Sequence, residues 1–139
     1  MGLVYAEITL RNGLDVALHN VGKLEKKDIR ELKVKSLVDS GAYMLAINEN
    51  VKSQLGLVKV DEKVAELADG TRHKLDVVGP VEIHFKNRRA NVDAMVLPAD
   101  STILLGSIPM EDMDVIIDPK KQELIVNPET PYIPKTYLK

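Results

Sequence analysis

The chain has no cysteine, no tryptophan and a single phenylalanine, Phe85. Without cysteine it can form no disulfide, no thiolate metal site and no thiol nucleophile. With four tyrosines and one phenylalanine as its whole aromatic complement, the core has to be aliphatic. Neither sign of charge dominates: 19 Lys and Arg stand against 21 Asp and Glu, a formal net charge of -2. A general nucleic-acid binder carries a clear basic excess, so no nucleic-acid partner is expected. No apolar run approaches the length of a bilayer span. The start, Met1-Gly2-Leu3-Val4-Tyr5-Ala6, has neither the basic segment nor the apolar stretch of a secretion signal. No membrane partner is therefore expected, and a cytoplasmic location is the default. The eight glycines never open a phosphate-cradling Gly-x-x-x-x-Gly-Lys run, and no serine sits in a Gly-x-Ser-x-Gly elbow. His19, His73 and His84 fit no metal-ligand spacing and read as structural or solvated. Neither a cofactor nor a metal is expected.

What is present suits one packed domain: 139 residues, 45% hydrophobic and 29% charged. Short Val, Ile and Leu runs are broken by Gly, Pro, Asn and Asp, the texture of many short strands. Residues 3–10 read as a strand, with Arg11-Asn12-Gly13 as a hairpin turn and Leu14–Leu18 as its return arm. Lys23–Lys33 mixes charges of both signs and reads as an exposed loop or a helical turn. Lys33–Val38 is a strand. The clearest helix is 49–55, with Asn48 as N-cap and Gly56 as its left-handed terminator. Strands at 64–67 and 73–78 flank the Asp69-Gly70 turn, and Val81, Ile83 and Phe85 alternate with polar residues in a half-buried strand. Further strands are expected at 90–97 and 103–106. A short helix over 107–112 follows, capped by Ser107, and a hairpin of 113–117 with 123–126 closes the series. Lys86, Arg88 and Arg89 form a small basic turn; Glu111, Asp112 and Asp114 form an acidic cluster at a helix end; Met110 and Met113 read as core. The domain is assigned to residues 1–127, and 128–139, with Pro131 and Pro134, to an extended tail.

Three features carry chemistry. Leu37-Val38-Asp39-Ser40-Gly41-Ala42 places a carboxylate, a hydroxyl and a glycine at a strand end. An Asp-[Ser/Thr]-Gly-Ala string arises by chance in roughly 0.5% of chains this long. Downstream lie the polar hairpin Ala68-Asp69-Gly70 and then Leu104-Leu105-Gly106. Each of the latter two is common alone; the order of the three is not.

In that order they resemble the retropepsin-like aspartic proteases, and more narrowly their small prokaryotic relatives, a group of predicted aspartyl proteases. The resemblance implies an all-β closed barrel with one or two short helices and an endopeptidase acting on peptide or protein substrates. It implies Asp39 as the catalytic carboxylate and Ser40, Gly41 and Ala42 as its loop, with the Ser40 hydroxyl bonding across to a partner loop. Leu104, Leu105 and Gly106 would support that loop from behind, and Ala68, Asp69 and Gly70 would form a flap over substrate. Metal-free peptide hydrolysis needs two carboxyls, one taking a proton from water and one polarising the carbonyl. The chain has one Asp-Ser-Gly, so the count asks for a homodimer with the two Asp39 facing each other. Two positions depart from the pattern: Tyr43 follows the alanine, and the flap turn carries an acidic residue and a single glycine. They support an alternative, a catalytically silent dimerisation or peptide-binding module.

Overall fold

A computed structural model describes residues 2–138; Met1 and Lys139 lie outside the described residues. Its strands are β1 (Tyr5–Asn12), β2 (Glu31–Val38), β3 (Leu45–Asn48), β4 (Val58–Glu66), β5 (Arg72–Phe85), β6 (Arg88–Leu97), β7 (Ile103–Leu105), β8 (Val115–Asp118) and β9 (Glu123–Val126). Helices α1 (Gly13–Asn20), α2 (Glu49–Leu55) and α3 (Ser107–Met113) join them, with a 3-10 turn at Lys26–Asp28. Among the described residues there are thus three short helices where one or two were expected.

The strands follow the order β1-β2-β7-β3-β6-β5, and β5 pairs back to β1, so six strands close into a barrel. β4 hangs outside the ring on β5. Inward-facing residues alternate with outward-facing ones, and Ile8, Leu10, Leu45, Ile47, Val81, Ile83 and Leu105 fill the interior. α2 adds Val51 and Leu55, α3 adds Met110 and Met113, and the β8–β9 hairpin adds Val115 and Leu124 to the same cluster. Each such side chain, fully buried, contributes about 1.5–3 kcal/mol. An aliphatic core was the expectation, and Phe85 is its one aromatic member.

α2 forms as expected: Asn48 Oδ1 accepts from the Val51 N–H (2.9 Å), and Gly56 ends the helix at φ +61°. Two local readings fail. Residues 13–20 are helix α1, not the return arm of a hairpin. Asn12 is buried and acts as N-cap, accepting from the Asp15 N–H (3.1 Å) and donating to Leu55 O (2.8 Å). Asp15 turns inward to a bidentate pair with Arg30 (2.9 and 3.0 Å) while Leu14 and Leu18 are exposed, so the apparent alternation has the wrong face. The β1 edge that a return arm would have used is taken by β5. The cap of α3 is Gly106 rather than Ser107, with no side-chain bond.

The strand read around 81–85 is continuous with the one at 73–78. This single strand, β5, pairs with β4 in its first half and β1 in its second, and its register against β6 shifts between Val78 and Val81. A Cβ at Gly79 would press on Asp93, 3.2 Å from its Cγ, so glycine lets the shift pass that residue.

Arg88, read as part of a basic turn, is 1% exposed. Its Nη2 donates to the backbone oxygen and the hydroxyl of Thr130, while Nε and Nη1 have no partner among the described residues. Asp114, read as a solvated helix end, is the anchor of the tail. Its carboxylate accepts from Asn127 Nδ2 (3.0 Å), the Thr130 hydroxyl (2.5 Å) and the Lys135 N–H (2.9 Å). Those three donors hold its pKa down at about 2. No helix among the described residues is long and apolar enough to cross a membrane.

A group whose pKa is lowered by folding stabilises the fold above its unfolded value and loses that contribution as pH falls. For Asp114 the window runs from 3.8 down to about 2. The Lys135 amide resonance is expected to move through this window while barrel amides stay in place. At neutral pH, Asp114→Ala should speed Lys135 amide exchange; an unchanged rate would show that the tail is held by something else.

Candidate active site

Asp39 follows the last residue of β2, where the parallel pairing with β7 ends at Val38 opposite Leu105. β7 lies between β2 and β3, parallel to the first and antiparallel to the second. Its backbone continues the bonding past the strand ends. The Asp39 N–H donates to Leu105 O (3.0 Å), Ser107 N–H to Ala42 O (2.8 Å) and Ile108 N–H to Tyr43 O (3.0 Å). The loop Asp39–Ala42 is closed on itself by Ala42 N–H to Asp39 O (3.1 Å). The Gly41 N–H donates to Asp39 Oδ1 (2.9 Å), and a Cβ on Gly41 would stand 3.2 Å from that same oxygen. Among the described residues no other group donates to this carboxylate, so Oδ2 is free to meet water or a second carboxyl. Asp39 is partly exposed, and Ser40 and Gly41 are exposed.

The Leu104-Leu105-Gly106 tripeptide divides its work. Leu105 is buried in the barrel and presents its carbonyl to Asp39. Leu104 points the other way and lines an external groove. Gly106 passes beneath residues 43–44: a Cβ there would lie 2.6 Å from Tyr43 C and O and collide with Met44 O. Only glycine fits this crossing.

The groove has a volume of about 410 Å³. One wall is the segment Gly41–Met44 and the other is Lys63–Leu67, at the end of β4. Its floor is the outer face of the barrel. Leu37, Leu104, Ala46, Met95 and Val77 are paired in sequence across five strands, so their side chains share one face. Three of them, Leu104, Ala46 and Met95, line the groove with Leu75, Leu97 and Ile108. Tyr43 stands at the rim, 75% exposed. None of the described tail residues lines the groove.

The β4–β5 hairpin stands off the barrel, and all but one of the nine β4 residues are exposed. Ala68, Asp69 and Gly70 form its tip, beyond the groove wall. The turn is closed by Leu67 N–H to Thr71 O (2.8 Å) and Gly70 N–H to Leu67 O (2.9 Å), with Gly70 at φ +83°. Asp69 braces it, accepting from the Thr71 hydroxyl (2.6 Å) and N–H (2.9 Å). Those two bonds, with nearby His73, lower the Asp69 pKa. The acidic tip is thus engaged within its own turn. The wall residues Lys63–Leu67 were not singled out from sequence; the period-two run leading into Asp69-Gly70 is the signal that could have found them.

Among the described residues, no cluster of three or more His, Cys, Asp or Glu is arranged to hold a metal ion. A family model described as aspartyl protease matches residues 26–108, more than half of the chain. The match spans the Asp39 loop, the β4–β5 hairpin and β7. No curated protein matches the chain.

The Gly106 crossing gives a direct test. Gly106→Ala should cost at least about 2 kcal/mol of unfolding free energy, because backbone rather than a flexible side chain stands in the way. Urea denaturation measures it. A midpoint equal to that of the unmodified chain would mean the crossing is looser than described.

Proposed function

The chain belongs to the aspartyl protease family, and from that premise we propose that it is an endopeptidase active as a homodimer, hydrolysing peptide bonds with water activated between two Asp39 carboxyls. The observation that carries this reading is the Asp39 loop: one carboxylate per chain, pinned through the backbone to β7 and α3, in a loop whose Gly41 and Ala42 line an apolar groove.

Two carboxyls in contact cannot both ionise cheaply, so the pair shares one proton across the twofold axis. The ionised Asp39 takes a proton from water as the oxygen attacks the scissile carbonyl. The protonated Asp39 donates to the developing oxyanion; as the gem-diol collapses it takes that proton back, the other carboxyl passes the water's proton to the leaving nitrogen, and the C–N bond breaks. The Gly41 N–H on Oδ1 fixes the carboxylate plane, leaving Oδ2 for the water or the partner carboxyl. Ser40, exposed beside it, presents its hydroxyl to the second loop. Leu104, Met95 and Ile108 receive an apolar side chain flanking the scissile bond, and the β4–β5 hairpin covers the bound strand and excludes water. This chemistry asks for carboxylates alone, and we place the enzyme in the cytoplasm.

Asp39→Asn keeps the size and the Oδ1 acceptor but cannot share the proton. It is expected to lower cleavage of a peptide library by at least about a hundredfold, with sedimentation showing an unchanged dimer. Cleavage at the rate of the unmodified chain would overturn the mechanism. Peptide binding without turnover from acid to neutral pH would favour the silent binding module that Tyr43 and the braced flap tip suggest.

A further inference from the structure

A pocket of about 510 Å³ lies away from the Asp39 groove, over the seam where β1 closes on β5. Glu31, on its wall, and Asp39 are eight residues apart along and just beyond β2, which puts the two sites about 26 Å apart. Arg11 comes from β1, Glu82 and His84 from β5, Arg89 from β6, and Lys26 and Lys27 from the 3-10 turn. Four permanent cations line the pocket with the carboxylates Glu31 and Glu82, and Glu25 pairs with Lys27 at its edge, a local surplus of one positive charge in a chain whose net charge is -2.

At the base Arg11 Nε donates to Glu31 Oε1 (2.6 Å), and beyond that pair the cluster is short of acceptors. Glu82 is 4% exposed. It accepts from Arg89 Nη2 (3.1 Å) and Nε (3.3 Å), lies 3.5 Å from Arg11 Nη1, and meets His84 Nε2. Burial works to raise its pKa, but the bonds from His84 and Arg89 and their charges outweigh it and lower the value, so Glu82 is ionised. The same His84 Nε2 lies 3.0 Å from Arg11 Nη1. A guanidinium only donates. If Nε2 donates to Glu82, Arg11 faces a second donor; if Nε2 accepts from Arg11, the Glu82 oxygen faces a lone pair. One polar group is left unmatched either way, and an added acceptor at Arg11 relieves it. Lys27 reaches only Glu25 (3.2 Å), both largely exposed, and Lys26 has no carboxylate partner among the described residues.

We propose that this pocket is a binding site for a phosphate-bearing small molecule, whose dianionic phosphoryl group is held by Arg11, Arg89, Lys26 and Lys27. The local positive surplus favours an anion of this kind. Its oxygens, disposed tetrahedrally, suit donors converging from β1, β6 and the 3-10 turn better than one planar carboxylate does. The volume is in the range that small-molecule sites occupy. The site is independent of the Asp39 chemistry.

Calorimetry on the full chain at low salt, with inorganic phosphate, pyrophosphate and succinate as probes, tests the assignment. Saturable binding of a phosphate probe is expected, with a rise in Tm that saturates alongside it. Preference between phosphate and pyrophosphate distinguishes a free ion from a larger phosphorylated ligand. Arg89→Gln, and separately Lys26→Gln with Lys27→Gln, should each weaken binding at least about tenfold. The lysine pair lies on an exposed turn, so that variant keeps the fold, while Asp39→Asn should bind as the unmodified chain does. No saturable binding of either phosphate probe at millimolar concentration overturns the proposal. So does equal binding of succinate, or undiminished binding by the double lysine variant.

Discussion

Asp39 N–H reaches Leu105 O, and Ser107 N–H reaches Ala42 O, only because β7 lies between β2 and β3. That insertion makes a segment far downstream the backing of the Asp39 loop. It also gives the barrel its two parallel pairings, β2 with β7 and β3 with β6, in an otherwise antiparallel ring. The crossing is possible only where residue 106 has no side chain, since backbone atoms of Tyr43 and Met44 occupy the place of its Cβ. The rigidity of the carboxylate, the position of the groove floor and the closure of the barrel thus share one steric condition. A loop held by main-chain bonds on both sides does not need its own side chains for order, which leaves Asp39 and Ser40 free to face outward.

Away from this crossing, polar side chains take the structural parts that an aliphatic core cannot. Asn12 joins β1, α1 and α2 through three hydrogen bonds, and Asp15 ties α1 to the strand entering the barrel through Arg30. Asp114 collects the tail, whose side chains over 131–138 are all exposed. That segment is ordered by hydrogen bonds rather than by burial. Glu82, on the strand face that alternation assigns to solvent, is covered because β1 brings Arg11 across the seam and β6 brings Arg89 alongside.

Local signals were legible where the chain settles its own conformation. Asn48 with Gly56 marks a helix at both ends, Asp69-Gly70 marks a hairpin, and Val81, Ile83 and Phe85 show their buried face by alternation. Reading failed where one local pattern serves two structures. Asn12-Gly13 is a hairpin turn or a helix cap, and Asp15, three residues after Asn12, was the quiet sign of the cap. Arg88 and Asp114 looked like solvated charge because the partners that bury or engage them, Thr130 and Lys135, come from a tail with no pattern of its own.

The sequence by itself determined the aliphatic strand-rich core, the family motifs and the order in which Asp39, the hairpin and Leu104-Leu105-Gly106 occur. These follow from side-chain chemistry and short-range spacing. Only the tertiary structure decided that Leu104 and Leu105 face opposite sides, that Lys63–Leu67 rather than the hairpin tip walls the groove, and that Arg11, Glu82 and Arg89 converge on one pocket. Those facts depend on strand register and barrel closure, which are long-range pairings that no local window contains.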